Sequence, residues 1–145
     1  MPAGQTNTGG DPNPVHAILL GFPIALFSSA LVTDIVYLRT AEIQWTNFSA
    51  WLISGALLFG GLVFAWALVA LVLDLRGPGR LRSLIYAGVL AVMWILGLLN
   101  AFKHSQDGWS SVGVFGLVLS ILCTLLALGA GVIAHSSLWT REVAR

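Results

Sequence analysis

The fold is decided by residues 50–75, AWLISGALLFGGLVFAWALVALVLDL, in which Asp74 is the one charged side chain. A helix needs about 20 apolar residues to cross the hydrocarbon core of a bilayer, and this stretch is longer than that. Its glycines, Gly55, Gly60 and Gly61, would weaken a soluble helix, but small residues are common where membrane helices approach one another. The stretch therefore predicts a transmembrane helix.

Three further apolar segments have a comparable length and a similar lack of charge. They cover residues 15–38, 84–102 and 112–136. The chain is 57% hydrophobic and only 9% charged, whereas soluble domains carry about 25% charged residues. We therefore predict an all-α fold, an integral membrane four-helix bundle over residues 15–138. The Gly- and Pro-rich residues 1–14 read as a disordered tail, and residues 139–145 as a short tail at the other end.

Composition and motifs exclude several classes of function. The net charge of +1 does not provide the basic patch that nucleic acid binding requires. The single cysteine, Cys123, lies in an apolar run and has no second cysteine with which to form an internal disulfide. No Walker, dinucleotide-binding or metalloprotease motif is present, and no nucleophile–base pair is recognisable. An enzyme is therefore not expected, although an intramembrane enzyme stays an alternative.

The basic residues predict the orientation in the membrane. Five of the seven lie in the loop between the second and third spans or in the C-terminal tail, namely Arg76, Arg80, Arg82, Arg141 and Arg145. Only Arg39 and Lys103 lie on the opposite side. Because cytoplasmic loops carry the excess of Lys and Arg, both termini are predicted to be cytoplasmic.

Polar residues in or beside the spans point to the positions where chemistry is expected. His16, Asp74 and His135 fall near the cytoplasmic level, and Asp34 and Asn100 near the opposite level. Ionisable groups at membrane depth are costly and are usually turned towards the bundle interior. Small residues at helical spacing accompany the polar residue in all but the first span, which favours the same orientation.

The inner three residues allow two functional interpretations and one structural one. His16 and His135 facing each other would make an axial pair for a b-type haem. With Asp74 they would instead form a set of two histidines and one carboxylate, which suits zinc or iron. In the structural interpretation the histidines anchor helix ends at the interface, and Asp74 pairs with Arg76 or Arg80.

The outer pair predicts a contact between helices. Asp34 and Asn100 are expected to lie within direct or one-water reach and to tie the first and third spans together. Pro23 is expected to kink the first helix and to free the carbonyl of Leu19. His104 is assigned to the outer loop, so it is not counted with the inner group.

The chain also resembles a known family through its motifs. Residues 13–16, Asn-Pro-Val-His, are followed by residues 22–26, Phe-Pro-Ile-Ala-Leu, and then by Asp34. Gly129-Ala130-Gly131 precedes His135 near the end. This pattern is similar to the bacterial membrane family known as domain of unknown function 2231, and it extends over nearly the whole chain after the tail. The resemblance implies a small four-helix protein of the bacterial inner membrane.

Two positions depart from the family pattern. Asn13 stands where a first histidine is usual, and Ala17 where a second proline is usual, so one potential ligand is missing. The positions that match are His16, Pro23, Asp34 and His135. The resemblance implies an accessory membrane protein, and some relatives accompany soluble sugar dehydrogenases.

The leading hypothesis is therefore a redox-associated accessory subunit with a soluble or membrane redox partner. It would bind one haem, or alternatively a metal, at His16 and His135 near the cytoplasmic interface. The alternatives are a non-redox structural anchor for a partner protein and a small transporter.

Overall fold

The computed structural model describes residues 13–106 and 112–142, and the side chains as far as residue 136. The described chain folds into α1 (Pro14–Thr40), α2 (Ile43–Leu73), α3 (Arg80–His104) and α4 (Val114–Glu142). Each of these helices is long and apolar enough to cross a membrane. The predicted all-α membrane bundle is therefore confirmed. Residues 1–12 of the predicted tail, and residues 143–145, lie outside the described part of the chain.

The ends of α1 follow local rules. Asn13 caps the helix because its Oδ1 accepts a hydrogen bond from the Val15 amide at 3.0 Å, and Pro14 occupies the first helical position. At the other end Ala41 adopts a left-handed conformation, with φ at 56°, and its amide donates to the Tyr37 carbonyl at 2.8 Å. The chain can therefore turn within two residues and begin α2.

The second helix differs from its prediction. It begins at Ile43 rather than at Ala50, so most of the segment that the sequence left between the first two spans forms the first turns of α2. Asp74 ends this helix as its C-cap residue. The helix α4 continues to Glu142 and so enters the segment predicted as a tail.

The helices form a ring in which each one packs against two others. Helix α1 contacts α2 and α4, and α3 contacts the same two, which is the up-and-down order of a four-helix bundle. The starts of α1 and α3 and the ends of α2 and α4 therefore share one end. We name it the inner end, marked by His16 and His135, and the opposite one, marked by Asp34 and His104, the outer end.

Close packing of small residues holds the interior together. A Cβ on Gly97 would lie 2.9 Å from Leu57 Cδ2 and 3.0 Å from Phe27 Cζ, so the side chains of α1 and α2 leave no room for one on α3. Trp94 Nε1 donates to the Leu57 carbonyl at 3.1 Å and lies over Gly61. Because lipid tails are as apolar as leucine, such packing and hydrogen bonds, and not burial from water, drive association of these helices.

Pro23 is buried within α1, and the helix continues through it to Thr40. Its ring faces α2, since a Cβ added to Gly60 would lie 3.7 Å from the Cβ of Pro23. Pro23 has no amide hydrogen with which to bond the carbonyl of Leu19.

Candidate functional site

Four polar side chains from three helices meet at the outer end and form what we name the outer cluster. Asp34 of α1 lies at its centre, with Oδ1 2.9 Å from His104 Nε2 of α3. Its Oδ2 accepts a hydrogen bond from Ser120 Oγ of α4 at 2.5 Å. Asn100 Nδ2 in turn donates to Ser120 Oγ at 2.9 Å. The four side chains are almost completely buried, and they join α1, α3 and α4.

The hydrogen bonds fix the number of protons in the outer cluster. His104 Nδ1 lies 2.9 Å from the Asn100 carbonyl, and because a carbonyl only accepts, Nδ1 must carry a proton. The contact between Nε2 and Asp34 Oδ1 then holds one further proton. Whether that proton resides on the imidazole or on the carboxyl, the pair has no net charge. A neutral pair is the form that a membrane interior tolerates best.

Sequence reasoning found two members of the outer cluster and missed two. The link between Asp34 and Asn100 runs through the Ser120 hydroxyl, and neither a direct bond nor a water is needed. His104 joins the cluster because α3 extends beyond the predicted end of the third span. The spacing of four residues between Asn100 and His104 places both on one face of a helix, and this signal was available in the sequence.

The side chains of the outer cluster are enclosed within the bundle, and their hydrogen bonds have a structural role in holding three helices together. Asn100 Oδ1 is the one buried side-chain atom among the described residues for which no hydrogen-bond partner is present. Every other polar group of the cluster is paired, and Asp34, Asn100 and Ser120 are each 0% exposed.

The inner end differs, because a cavity of about 220 Å³ separates its polar side chains. We name this space the inner cavity. It is lined by Asn13, His16, Ala17, Trp66, Ala67, Ala70, Ser83, Tyr86, Ala134 and His135. Four of these are alanines, which leave the space between the rings open. The two histidines that the sequence singled out therefore line one cavity, from α1 and α4.

The two imidazoles of the inner cavity have different partners. His16 Nε2 lies 3.0 Å from the Tyr86 hydroxyl, and the His16 ring meets the Trp66 ring edge-on at a centroid distance of 5.9 Å. His135 Nδ1 donates to the Gly131 carbonyl at 2.8 Å. Within the described residues, His135 Nε2 has no hydrogen-bond partner, and in the neutral ring it carries a lone pair.

Asp74 lies away from the two histidines that it was expected to join. Its carboxylate folds over the turn that follows α2, where Oδ2 accepts a hydrogen bond from Ser83 Oγ at 3.2 Å. A Cβ on Gly77 would collide with Asp74 Oδ1, so the turn is built around this side chain. No group of three His, Cys, Asp or Glu residues in the described chain is placed to hold a metal ion. The three-ligand set of His16, Asp74 and His135 is therefore not assembled.

An apolar groove of about 720 Å³ runs beside the inner cavity between α1 and α4. It is lined by Ile24, Leu128, Gly131, Val132, His135 and Ser136. Val132 is 69% exposed, so the groove faces the surroundings of the bundle, which in a membrane are lipid chains. His135 lines both the groove and the inner cavity and therefore lies between the two spaces.

Arg82 is a cationic side chain that is held beside this region by hydrogen bonds to α4. Its Nη2 donates to the carbonyls of Ile133, at 2.5 Å, and Ala134, at 3.3 Å. It also lies 3.3 Å from Ser136 Oγ. The guanidinium thus joins the start of α3 to α4. Of the described residues that line the inner cavity, none is a carboxylate, a lysine or an arginine.

Comparisons with known proteins agree with the fold and assign no biochemical activity to the chain. The model of a family described as a predicted membrane protein, DUF2231, matches residues 12–143. No curated protein and no solved structure shows a significant match to the chain.

Proposed function

We propose that this chain, which belongs to the DUF2231 family of predicted membrane proteins, is a non-enzymatic accessory protein that binds one small molecule in its inner cavity, between His16 and His135. Its four apolar helices make it a multi-pass membrane protein. We place the inner end at the cytoplasmic face of the bacterial inner membrane, since most of the basic residues lie on that side. In this proposal the protein and a redox partner interact through the bound small molecule.

The observation that supports this proposal is the contrast between the two polar clusters. At the outer end the side chains bond to one another, and the one unpaired atom of the described cluster, Asn100 Oδ1, belongs to a residue with no exposed surface. At the inner end His135 Nε2 has no partner among the described residues, and the rings of His16, Trp66 and Tyr86 surround open space. Polar groups at membrane depth are costly, so a cavity that leaves one of them unpaired is the better candidate for binding.

The size of the inner cavity argues against a haem. Pockets for drug-sized ligands measure about 300–1,000 Å³, and a haem is at least as large as such ligands. The inner cavity holds about 220 Å³, and Tyr86 occupies the His16 nitrogen that would bind iron. A haem would therefore have to displace Tyr86 and separate the helices, whereas a single-ring molecule fits without rearrangement.

The proposal is tested on protein extracted directly into lipid nanodiscs and analysed for co-purifying small molecules by mass spectrometry. Ala70→Leu fills the inner cavity and is expected to abolish the bound molecule. Ala65→Leu makes the same change on an exposed face of α2 and is expected to retain it.

Other outcomes would overturn the proposal. A Soret absorption band that is lost in His16→Ala and in His135→Ala would establish the haem hypothesis instead. A colourless protein that carries no small molecule and co-purifies with another protein would establish the anchor hypothesis.

A further inference from the structure

We propose that the molecule bound in the inner cavity is a hydroquinone with one long hydrocarbon tail. Its ring occupies the cavity, and its tail lies in the groove between α1 and α4. This inference rests on the proposed function and specifies the chemical class of the ligand. It is carried by three features of the described structure, which are the size of the cavity, the hydrogen-bonding state of His135 and the adjoining groove.

The shape of the inner cavity suits one substituted aromatic ring. An apolar cavity of about 150 Å³ is enough to hold benzene, and the inner cavity, at about 220 Å³, leaves room for ring substituents. The walls include the rings of Trp66 and Tyr86, and Tyr86 lies 5.8 Å from the His16 ring between centroids. Aromatic rings prefer such offset or edge-on neighbours. Ala67 and Ala70 of α2 leave the space between these rings unfilled.

The hydrogen-bonding state of His135 selects a hydroxyl on the ligand. Since Nδ1 donates to the Gly131 carbonyl, Nε2 of the neutral imidazole is an acceptor. A hydroquinone offers an O–H to this nitrogen, and its second hydroxyl can pair with the Ser83 or Tyr86 hydroxyl at the cavity wall. The oxidised quinone has only acceptors. It therefore loses the hydrogen bond to His135, and the site prefers the reduced form.

The charge of the site and the groove select the rest of the ligand. No carboxylate or cationic side chain of the described structure lines the inner cavity, and Arg82 is bonded to carbonyls of α4. A phosphate or a quaternary ammonium headgroup would thus find no counter-charge, so a neutral headgroup is favoured over a phospholipid. The groove begins at His135 and is otherwise lined mainly by Ile24, Leu128 and Val132, which suits a single hydrocarbon chain.

The test uses the full chain in nanodiscs and measures how much of a probe sediments with them, after subtraction of protein-free nanodiscs. The probes are decyl-benzohydroquinone, the same ring without its tail, and decyl-benzoquinone. The wild-type protein is expected to bind about one decyl-benzohydroquinone. Loss of one good hydrogen bond corresponds to about tenfold in affinity, so decyl-benzoquinone and the His135→Ala variant are each expected to show roughly that reduction.

Variants of the groove separate the tail from the ring. Gly131→Leu places a side chain in the groove, where its Cβ meets the movable tip of Ile24 at 3.0 Å. It should weaken binding of the decyl probe severalfold and leave the tail-less ring unaffected. Gly129→Leu is the matched control, because a Cβ there has nothing within 4 Å. Should Gly131→Leu fail to fold, Val132→Phe narrows the same groove from its exposed side.

The outcomes distinguish the two proposals. If no ring probe binds above the protein-free nanodiscs, this inference fails, whereas the proposed function fails only if no small molecule co-purifies with the protein. If the tail-less ring binds and Ala70→Leu abolishes that binding, the proposed function stands. In that case this inference is overturned by equal affinity for hydroquinone and quinone, or by Gly131→Leu weakening the decyl and tail-less probes alike. Displacement of the probe by a phospholipid headgroup would also overturn it.

Discussion

The outer cluster makes a quantitative prediction about Asp34 and His104. Replacing Asp34 with Asn keeps the shape of the side chain and supplies an amide N–H where the carboxyl shares a proton with His104 Nε2. Ser120 can still donate to the remaining oxygen. Replacing His104 with Ala instead leaves the Asp34 carboxyl buried without its partner. We therefore expect the conservative change at Asp34 to be mild and the loss of His104 to be severe.

Known energies set the two magnitudes. Removing one partner of a buried charged pair costs about 3–5 kcal/mol, and His104→Ala should fall in that range because Asp34 is 0% exposed. Hydrogen bonds between membrane helices average about 0.6 kcal/mol and reach about 1.7 kcal/mol. Asp34→Asn preserves such bonds and should cost no more than about 1.5 kcal/mol. In the Asp34→Asn background, His104→Ala should cost about 1–2 kcal/mol, since no carboxyl is left unpaired.

The measurement is reversible unfolding in mixed detergent and SDS micelles, followed by far-ultraviolet circular dichroism. The two single variants and the double variant form a thermodynamic cycle with the wild type. His104→Ala should cost about 2 kcal/mol more in the wild-type background than in the Asp34→Asn background. If the single effects add within about 0.5 kcal/mol, or if Asp34→Asn costs as much as His104→Ala, the assignment of a shared proton is wrong.

Three further predictions follow from the packing and the loops. Gly97→Ala should destabilise the bundle by about 1–3 kcal/mol through overpacking. Gly88→Ala is the control and should leave the stability unchanged, because nothing lies within 4 Å of a Cβ there. Unfolding in SDS measures both variants, and equal losses of stability would contradict the packing argument. Gly77→Ala should displace the carboxylate of Asp74 and lower the melting temperature by a few degrees, as a thermal scan will show. A reporter enzyme fused after Arg145 should be active only in the cytoplasm, and activity on the opposite side would reverse the assigned orientation.

Helical periodicity predicted the buried faces well because they are set by residues on one helix. Asn100 was predicted to face the bundle interior with small residues at helical spacing beside it, and both Asn100 and Gly97 are buried. Small residues were also predicted on the interior face of the fourth span, where Ala127 is buried. A pattern of this kind depends only on the number of residues per turn.

Contacts between helices were harder to predict because they depend on where each helix ends. His104 was left in a loop because Lys103 and the polar residues after it interrupt the apolar pattern, yet the helix continues for one more turn and brings the imidazole to Asp34. Ser120 carried no signal, since a lone serine is common in membrane helices. Asp74 was placed at the correct end, but the turn formed by the two glycines near it draws its carboxylate away from the histidines.

The outer cluster also has a consequence for the order in which the protein is made. Asp34 lies on the first helix, whereas its partner Ser120 follows 86 residues later on the last. At roughly 5–20 residues per second, ribosomes take about 4–17 s to synthesise that interval. His104 follows 70 residues after Asp34, so the carboxyl of α1 has neither partner until α3 is made, and it lacks the Ser120 hydroxyl until α4 is made. A chain truncated before α3 keeps the carboxyl without either partner, and one truncated before α4 keeps it without Ser120. An unfinished copy therefore exposes to the proteases of the membrane a carboxyl that the complete bundle holds bonded.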